Sequence, residues 1–200
     1  MIAPKIIAHL SKDERLAAVI QAHTMLEWGV AGDVYSDLLG SIISQQISVK
    51  AAATIQERFL GLFTDGYPHA DQLLAFDETA LRTAGLSRQK AGYMHNIARF
   101  FQEENLLNYD WAPHSDEEII RWLTQIKGVG RWTVEMILMF TLQRPDVFPL
   151  DDLGIRNAMI KIYDIEATGK ALRQHLLDTA EPWRPYRTYA CRYLWRWKDA

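Results

Sequence analysis

Residues 126–133 read Ile126-Lys127-Gly128-Val129-Gly130-Arg131-Trp132-Thr133 and fall between two stretches of helical periodicity. Upstream, residues 115–126 (SDEEIIRWLTQI) offer Ser115 as an N-cap, Glu118 at the capping-box position, and Ile119, Ile120, Leu123 and Ile126 on one inward face. Downstream, Arg131 begins a second pattern in which Val134, Ile137, Leu138 and Thr141 recur at helical spacing. Glycine permits positive φ and close backbone approach, so Gly128-Val129-Gly130 can turn sharply and leave its amides exposed at the head of the next helix. Exposed amides at the positive end of a helix dipole attract an anion, and with no large side chain in the way that anion can be a backbone phosphate. Val129 is expected to pack beneath the turn. A Gly-x-Gly corner between helices also occurs without any ligand, so the turn alone leaves a plain structural role open.

Working outward, helical periodicity recurs along nearly the whole chain and strand alternation almost nowhere. A capping-type pattern from Ser11 leads into residues 12–28, with Leu16, Val19, Ile20 and His23 on one face. Further helices are expected near 34–46, 48–63, 70–84, 87–104, 115–126, 131–143, 153–163, 169–179 and 186–197, with Ser48 and Ser87 as N-caps. Breaks fall at residues 30–33 (VAGD), TDGYPHAD, AGLS, YDWAPHSD and RPDVFPLDD. The fold class is all-α, built from many short helices.

The 200 residues, 48% hydrophobic and 24% charged, suit a globular chain with a full core. No apolar run approaches the roughly 20 residues that span a bilayer, and the apolar piece near the N-terminus is too short for a secretory signal. The lone Cys191 excludes an intrachain disulfide and any four-cysteine zinc or iron–sulfur site, and the six histidines show no ligand spacing. A net charge of -3 argues mildly against nucleic acid. The charge is uneven: residues 182–198 (PWRPYRTYACRYLWRWK) hold Arg184, Arg187, Arg192, Arg196 and Lys198 with no acid, a pattern that more often makes a solvated basic face than a binding surface.

The longer string LTQIKGVGRWT is far more specific than Gly-x-Gly, and it resembles the helix–hairpin–helix of the DNA glycosylase superfamily that includes endonuclease III. By that resemblance Gly128, Val129, Gly130 and Arg131 form the phosphate-binding hairpin. The carbonyls of Thr124, Ile126 and Val129 would hold a Na+ or K+ ion bridging to DNA, with no cofactor needed for catalysis. Lys127 stands where a proline is common. Such enzymes carry an aspartate at the head of the next helix, and RPDVFPLDDLGIRNAM supplies Asp151 and Asp152 there. One of the pair is expected to cap the helix. The resemblance makes Asp152 catalytic, with Asp151 as its capping or positioning neighbour.

In lyase-competent relatives the position two after the second hairpin glycine is a lysine that attacks the sugar; here it is Trp132. The string GVGRWT resembles the 3-methyladenine DNA glycosylase II type, in which that tryptophan lines the base pocket. The C-terminal string sets Trp195 as a second pocket aromatic, with register carried by Trp183, Arg187, Tyr189, Ala190 and Trp195. A further family aromatic one turn beyond Trp132 is Met136 here. Electron-rich rings attract a cationic alkylated purine. The segment IISQQISVKAAATI resembles the part that fills the hole left by a flipped nucleotide, with Gln46 as wedge and Gln45 beside it. In LRTAGLSRQKAGYM, Arg88 and Lys90 could touch phosphate, although solvated surface is the more usual role.

The resemblance spans 34–198 and implies a compact form without the N-terminal β-rich domain of the larger enterobacterial type. It implies two helical lobes flanking a DNA-binding cleft: 34–144 as a barrel containing the hairpin, and 1–33 with 145–200 carrying Asp152. The implied function is a monofunctional glycosylase that flips and excises alkylated purines, 3-methyladenine and 7-methylguanine, from duplex DNA in base excision repair. The partner would be double-stranded DNA with damaged bases and the protein a monomer away from membranes, cytoplasmic in a prokaryote or nuclear in a eukaryote. Removal of another lesion, such as hypoxanthine or an oxidised purine, stays open. So do a non-catalytic helix–hairpin–helix DNA-binding protein and a helical interaction protein.

Overall fold

The computed structural model describes residues 3–24, 29 and 32–198. Among them lie twelve α-helices: α1 Pro4–Leu10, α2 Glu14–Ala22, α3 Val34–Ser44, α4 Val49–Leu60, α5 Ala70–Ala75, α6 Glu78–Thr83, α7 Arg88–Glu103, α8 Asp116–Leu123, α9 Arg131–Met136, α10 Leu153–Ile162, α11 Gly169–Ala180 and α12 Arg187–Lys198. A π turn, Ile137–Thr141, continues α9, and a 3-10 turn, Glu181–Trp183, joins α11 to α12. No strand occurs among the described residues, as the periodicity leads one to expect.

Several boundaries follow local capping chemistry. Ser48 and Ser87 cap α4 and α7 through their side chains, and Ser115 with Glu118 closes a reciprocal capping box on α8. Ser11 does not start α2; it ends α1, a short helix that the sequence reading did not anticipate, and Asp13 caps α2 by accepting from the amides of Arg15 and Leu16. That helix stops at Ala22, because His23 is already extended. Residues 25–28 of the expected first helix, and Val30 and Ala31 of the expected break, lie outside the described residues. The helix expected over 70–84 is two helices, since Phe76 turns extended and the Asp77 carboxylate caps a new start at the Ala80 amide, 2.7 Å away. The helix expected over 131–143 is α-helical only to Met136 and then widens into the π turn.

The chain divides into two compact units, Met1–Val30 with Leu138–Ala200, and Ala31–Ile137. Residues 138–144, expected with the barrel, therefore belong to the other unit. In the Ala31–Ile137 unit, α3 buries Tyr35, Leu38, Leu39, Ile42 and Ile43, and packs on α7 through Ala91, Met94, Ile97, Ala98 and Phe101. Each fully buried leucine or isoleucine there contributes about 1.5–3 kcal/mol relative to exposure. α4, α5 and α6 pack around this pair.

In the other unit, α12 lies against α10 and α2. The polar centre of its packing is Asp13, whose Oδ2 accepts from the buried Trp183 indole (2.9 Å) and from the Tyr163 hydroxyl (2.7 Å), while Oδ1 caps α2. Burial and this bond to Asp13 push the Tyr163 phenol well above its ordinary pKa. Replacing Asp13 with alanine removes a cap and strands a buried indole N–H. Urea denaturation should report a loss of about 2 kcal/mol or more; a change below about 0.5 kcal/mol, typical of an ordinary surface substitution, would contradict the role assigned to Asp13.

Candidate active site and nucleic-acid interface

The hairpin forms as the glycines require. α8 ends at Thr124, the chain turns through residues 125–129, and Gly130, extended at φ -94°, is the N-cap of α9. Only Gly128 adopts a left-handed conformation, with φ +107°, and a Cβ there would lie 2.3 Å from the Tyr93 ring. Gly130 is different: a Cβ there would meet nothing within 4 Å. One glycine is thus demanded by the turn, whereas the other keeps open space in front of the backbone. Val129 and Ile126 are buried beneath the turn as expected. Gln45 Nε2 donates to the Gly128 carbonyl at 3.5 Å, and Asn96 Nδ2 donates to that of Lys127 at 3.2 Å.

Arg131 does not extend as a lone cation. Its guanidinium pairs with Glu117 of α8 and, at 3.0 Å, with the buried Glu135 carboxylate, so it staples the two helices of the hairpin together. The same contact holds Glu117 below the usual carboxylate pKa. Along α9, Trp132 is exposed and Met136, one turn on, is half-buried on the same face.

The segment taken as the wedge follows α3. Gln45 is half-buried; Gln46, Ile47 and Val49 are exposed, Val49 most fully at 88%. Gln46 has φ +58°, a left-handed backbone that costs a non-glycine residue about 1–3 kcal/mol and collects at functional sites. Lys90 is neither solvated surface nor a free cation: its Nζ donates to the carbonyls of Ile43 and Gln45. Arg88 is exposed and pairs with Glu78 at 3.2 Å.

In the other unit, the two aspartates take unequal roles. Asp152, not Asp151, is the N-cap of α10: its Oδ1 accepts from the Ile155 amide at 2.8 Å. The same oxygen accepts from the Trp195 indole at 3.0 Å, and the residue is 7% exposed. One of the pair caps the helix as expected, but it is Asp152; Asp151, expected as a capping or positioning neighbour, does not cap and pairs at the surface with Arg173 at 2.7 Å. Capping and burial coincide on one carboxylate. Gly154 makes this possible: a Cβ there would lie 3.1 Å from Asp152 Oδ1 and 3.2 Å from Trp195 Cδ1 and Nε1. A Cβ at position 154 would be tighter than ordinary contact with both groups, so the acid and the indole would have to shift by a few tenths of an ångström.

Trp195 also stacks on Phe140 of the π turn, with ring centroids 5.8 Å apart and planes 29° from parallel. The sequence reading missed Phe140. The visible signal was its position one further turn beyond Met136, and a π turn at functional sites is common. The basic segment is not a free solvated face either. Arg187 binds Asp146 through Nε at 2.7 Å, Arg184 reaches the same carboxylate at 2.7 Å, and the Thr188 hydroxyl accepts from the Val147 amide at 2.9 Å. These contacts clamp the start of the loop that leads to Asp152.

A family model described as "HhH-GPD superfamily base excision DNA repair protein" matches residues 39–184. This chain belongs to that superfamily. The DNA-3-methyladenine glycosylase 1 of Schizosaccharomyces pombe is 37% identical over 164 residues, which is 81% of this chain and 71% of that protein. Among solved structures, the 3-methyladenine DNA glycosylase of Schizosaccharomyces pombe, in complex with abasic DNA, superposes with a TM-score of 0.81 at 32% identity, covering 98% of this chain and 97% of the other. The DNA-3-methyladenine glycosidase of Bacillus halodurans gives a TM-score of 0.81 at 28% identity, over 98% and 90% of the two chains. No helix among the described residues is long and apolar enough to cross a membrane.

The hairpin geometry separates its two glycines experimentally. Gly128→Ala combines forbidden φ with a ring clash and should cost about 2 kcal/mol or more in thermal or urea unfolding, whereas Gly130→Ala should cost about 1 kcal/mol or less. Equal costs at the two positions would contradict the turn described.

Proposed function

We propose that the protein is a monofunctional DNA glycosylase that flips and excises alkylated purines, 3-methyladenine and 7-methylguanine, from duplex DNA in base excision repair. The observation that carries this reading is the buried Asp152 carboxylate held by the Ile155 amide and the Trp195 indole. The similar proteins named above, from Schizosaccharomyces pombe and Bacillus halodurans and all named for 3-methyladenine, support it.

Alkylation at N3 or N7 makes a purine cationic. When the bond from C1′ to the base breaks, its electron pair moves onto the base and neutralises that charge, so the leaving group needs no proton from the enzyme. Two carboxylates are usual where a poor leaving group must be protonated; here one suffices. Positive charge develops on the deoxyribose instead, and a fixed anion close to C1′ stabilises it. Water adds its oxygen to C1′ and gives up a proton, for which Asp152 is the base. The products are the free purine and an abasic sugar with a hydroxyl at C1′. Trp195 fixes the carboxylate by its N–H and, stacked on Phe140, adds an electron-rich surface that favours a cationic base. Trp132 and Met136 are proposed to contribute to the same selection. Because Trp132 offers no amine, a Schiff base with the sugar and the strand cleavage that follows are outside the proposed reaction.

DNA is proposed to be held by the Ala31–Ile137 unit. Its hairpin amides at Gly128, Gly130 and Arg131 are proposed to face a phosphate, which the open space at Gly130 admits; Val129, expected with them, spends its amide on closing the turn. The carbonyls of Thr124, Ile126 and Val129 are hard oxygen donors of the kind that suits a Na+ or K+ ion; the Ile126 carbonyl also accepts from the Val129 amide at 3.0 Å, which leaves its second lone pair for such an ion. Gln46, exposed on a strained turn, is the proposed wedge, with Gln45 tying that turn to the hairpin. The protein is proposed to act as a monomer.

The test is incubation of methylated duplex DNA with wild type and Asp152→Asn, with the freed bases identified by chromatography. Wild type should release 3-methyladenine and 7-methylguanine, and the variant should be slower by about 100-fold or more. Comparable release by the variant would remove Asp152 from the chemistry, and no release by wild type would remove the reading.

A further inference from the structure

The turn that presents Gln46 is held from beneath by a residue outside the site described so far. Lys90 lies on the first turn of α7, which Ser87 caps. Its Nζ donates to the carbonyl of Ile43 at 2.8 Å and to that of Gln45 at 2.7 Å. Both carbonyls belong to the C-terminal end of α3, where helical acceptors lose their partners and the negative end of the helix dipole favours a cation. The very next residue, Gln46, is the one whose backbone is left-handed at φ +58°. Such a conformation persists only where its surroundings over-determine it. An ammonium gripping the carbonyls on the near side of that residue is such a constraint. Burial pushes the Lys90 pKa below its ordinary value, a cost that the two short hydrogen bonds offset.

The same face of α7 reaches the hairpin. One turn on, the Tyr93 ring fills the space under Gly128, and a further turn on, Asn96 donates to the Lys127 carbonyl at 3.2 Å. Positions 90, 93 and 96 are neighbours along a helix. A single rigid helix therefore holds the turn after α3 at one end and the glycine turn at the other.

We propose that Lys90 is the positioning residue of the wedge: by gripping the carbonyls of Ile43 and Gln45 it fixes Gln46 in the register needed to fill the stack vacated by a flipped base. This rests on the glycosylase reading above. With its Nζ engaged by the carbonyls of Ile43 and Gln45, Lys90 acts in this proposal through the Gln45-Gln46 backbone. Its loss should therefore matter in proportion to the work of extracting a base. That work is greatest for a paired base and least for one without a partner. A lysine serving only the general stability of the fold would affect both substrates alike.

The experiment compares wild type, Lys90→Met and Lys90→Arg in single-turnover excision from two duplexes, one with 7-methylguanine opposite cytosine and one with it opposite a tetrahydrofuran residue that has no base. Thermal unfolding is followed in parallel. Lys90→Met should lose about tenfold on the paired substrate, the equivalent of about 1.4 kcal/mol in the barrier, and less than about twofold on the unpaired one. Lys90→Arg, which keeps a cationic donor, should recover most of the difference. In a Gln46→Ala background the Lys90→Met substitution should add little, since both act through one side chain. Equal losses on the two substrates, no loss on either, or full additivity with Gln46→Ala would each overturn the proposal while leaving the glycosylase reading intact. Absence of release by wild type would remove both.

Discussion

The hydrogen bond from the Trp195 indole to Asp152 Oδ1, 3.0 Å long, is the constraint around which the unit containing residues 138–200 is arranged. An indole can reach a helix-capping carboxylate only where the helix presents no side chain in its path, and Gly154 leaves that path open. The approach also fixes how closely α12 must lie against α10. At the other end of α12, Arg187 and Thr188 grip residues 144–147, so one helix clamps both the loop before the acid and the acid itself. Asp146 and Arg187 sit at the core end of that clamp, with only 22% and 13% of their side chains exposed, where removing one partner of an ion pair costs more than at the open surface. Asp13, through Trp183 and Tyr163, anchors the 3-10 turn that feeds α12.

The other unit meets a different demand, which is to hold exposed backbone in a fixed shape without side chains to cover it. It does so from below. Tyr93 fills the space that a side chain at position 128 would need, Val129 and Ile126 bury their side chains under the turn, and Arg131 ties α8 to α9 through two carboxylates. The turn after α3 receives the same treatment from Lys90. Strain at Gln46 and positive φ at Gly128 are tolerated because α7 supports both.

Much of this was legible in the sequence because it depends on local rules. Helical periodicity gave the all-α class, and serine caps at 48, 87 and 115 marked helix starts to within a residue. The Gly-Val-Gly string and the paired aspartates located the two candidate sites. What escaped the sequence reading depended on contacts between distant residues. Nothing local distinguishes Asp151 from Asp152; the choice is made by Trp195, more than forty positions away, and by Arg173, which draws Asp151 outward. The arginines at 184 and 187 read as surface charge until Asp146 is seen beside them. Lys90 read as surface because a lysine bonded to backbone carbonyls has no acidic partner to betray it. Phe140 stands one ordinary helical turn beyond Met136, but what gives it a role is its stacking on Trp195, more than fifty positions away.

The most direct test of this arrangement is the single-turnover rate at which Gly154→Ala excises 7-methylguanine from duplex DNA, with unfolding stability measured alongside. The added methyl group, about 3 Å from both the carboxylate and the indole, must part them by a few tenths of an ångström. With the fold retained, the account predicts a rate at least about tenfold below wild type, since small misplacements of reacting groups are costly. A stable variant working at the wild-type rate would contradict it.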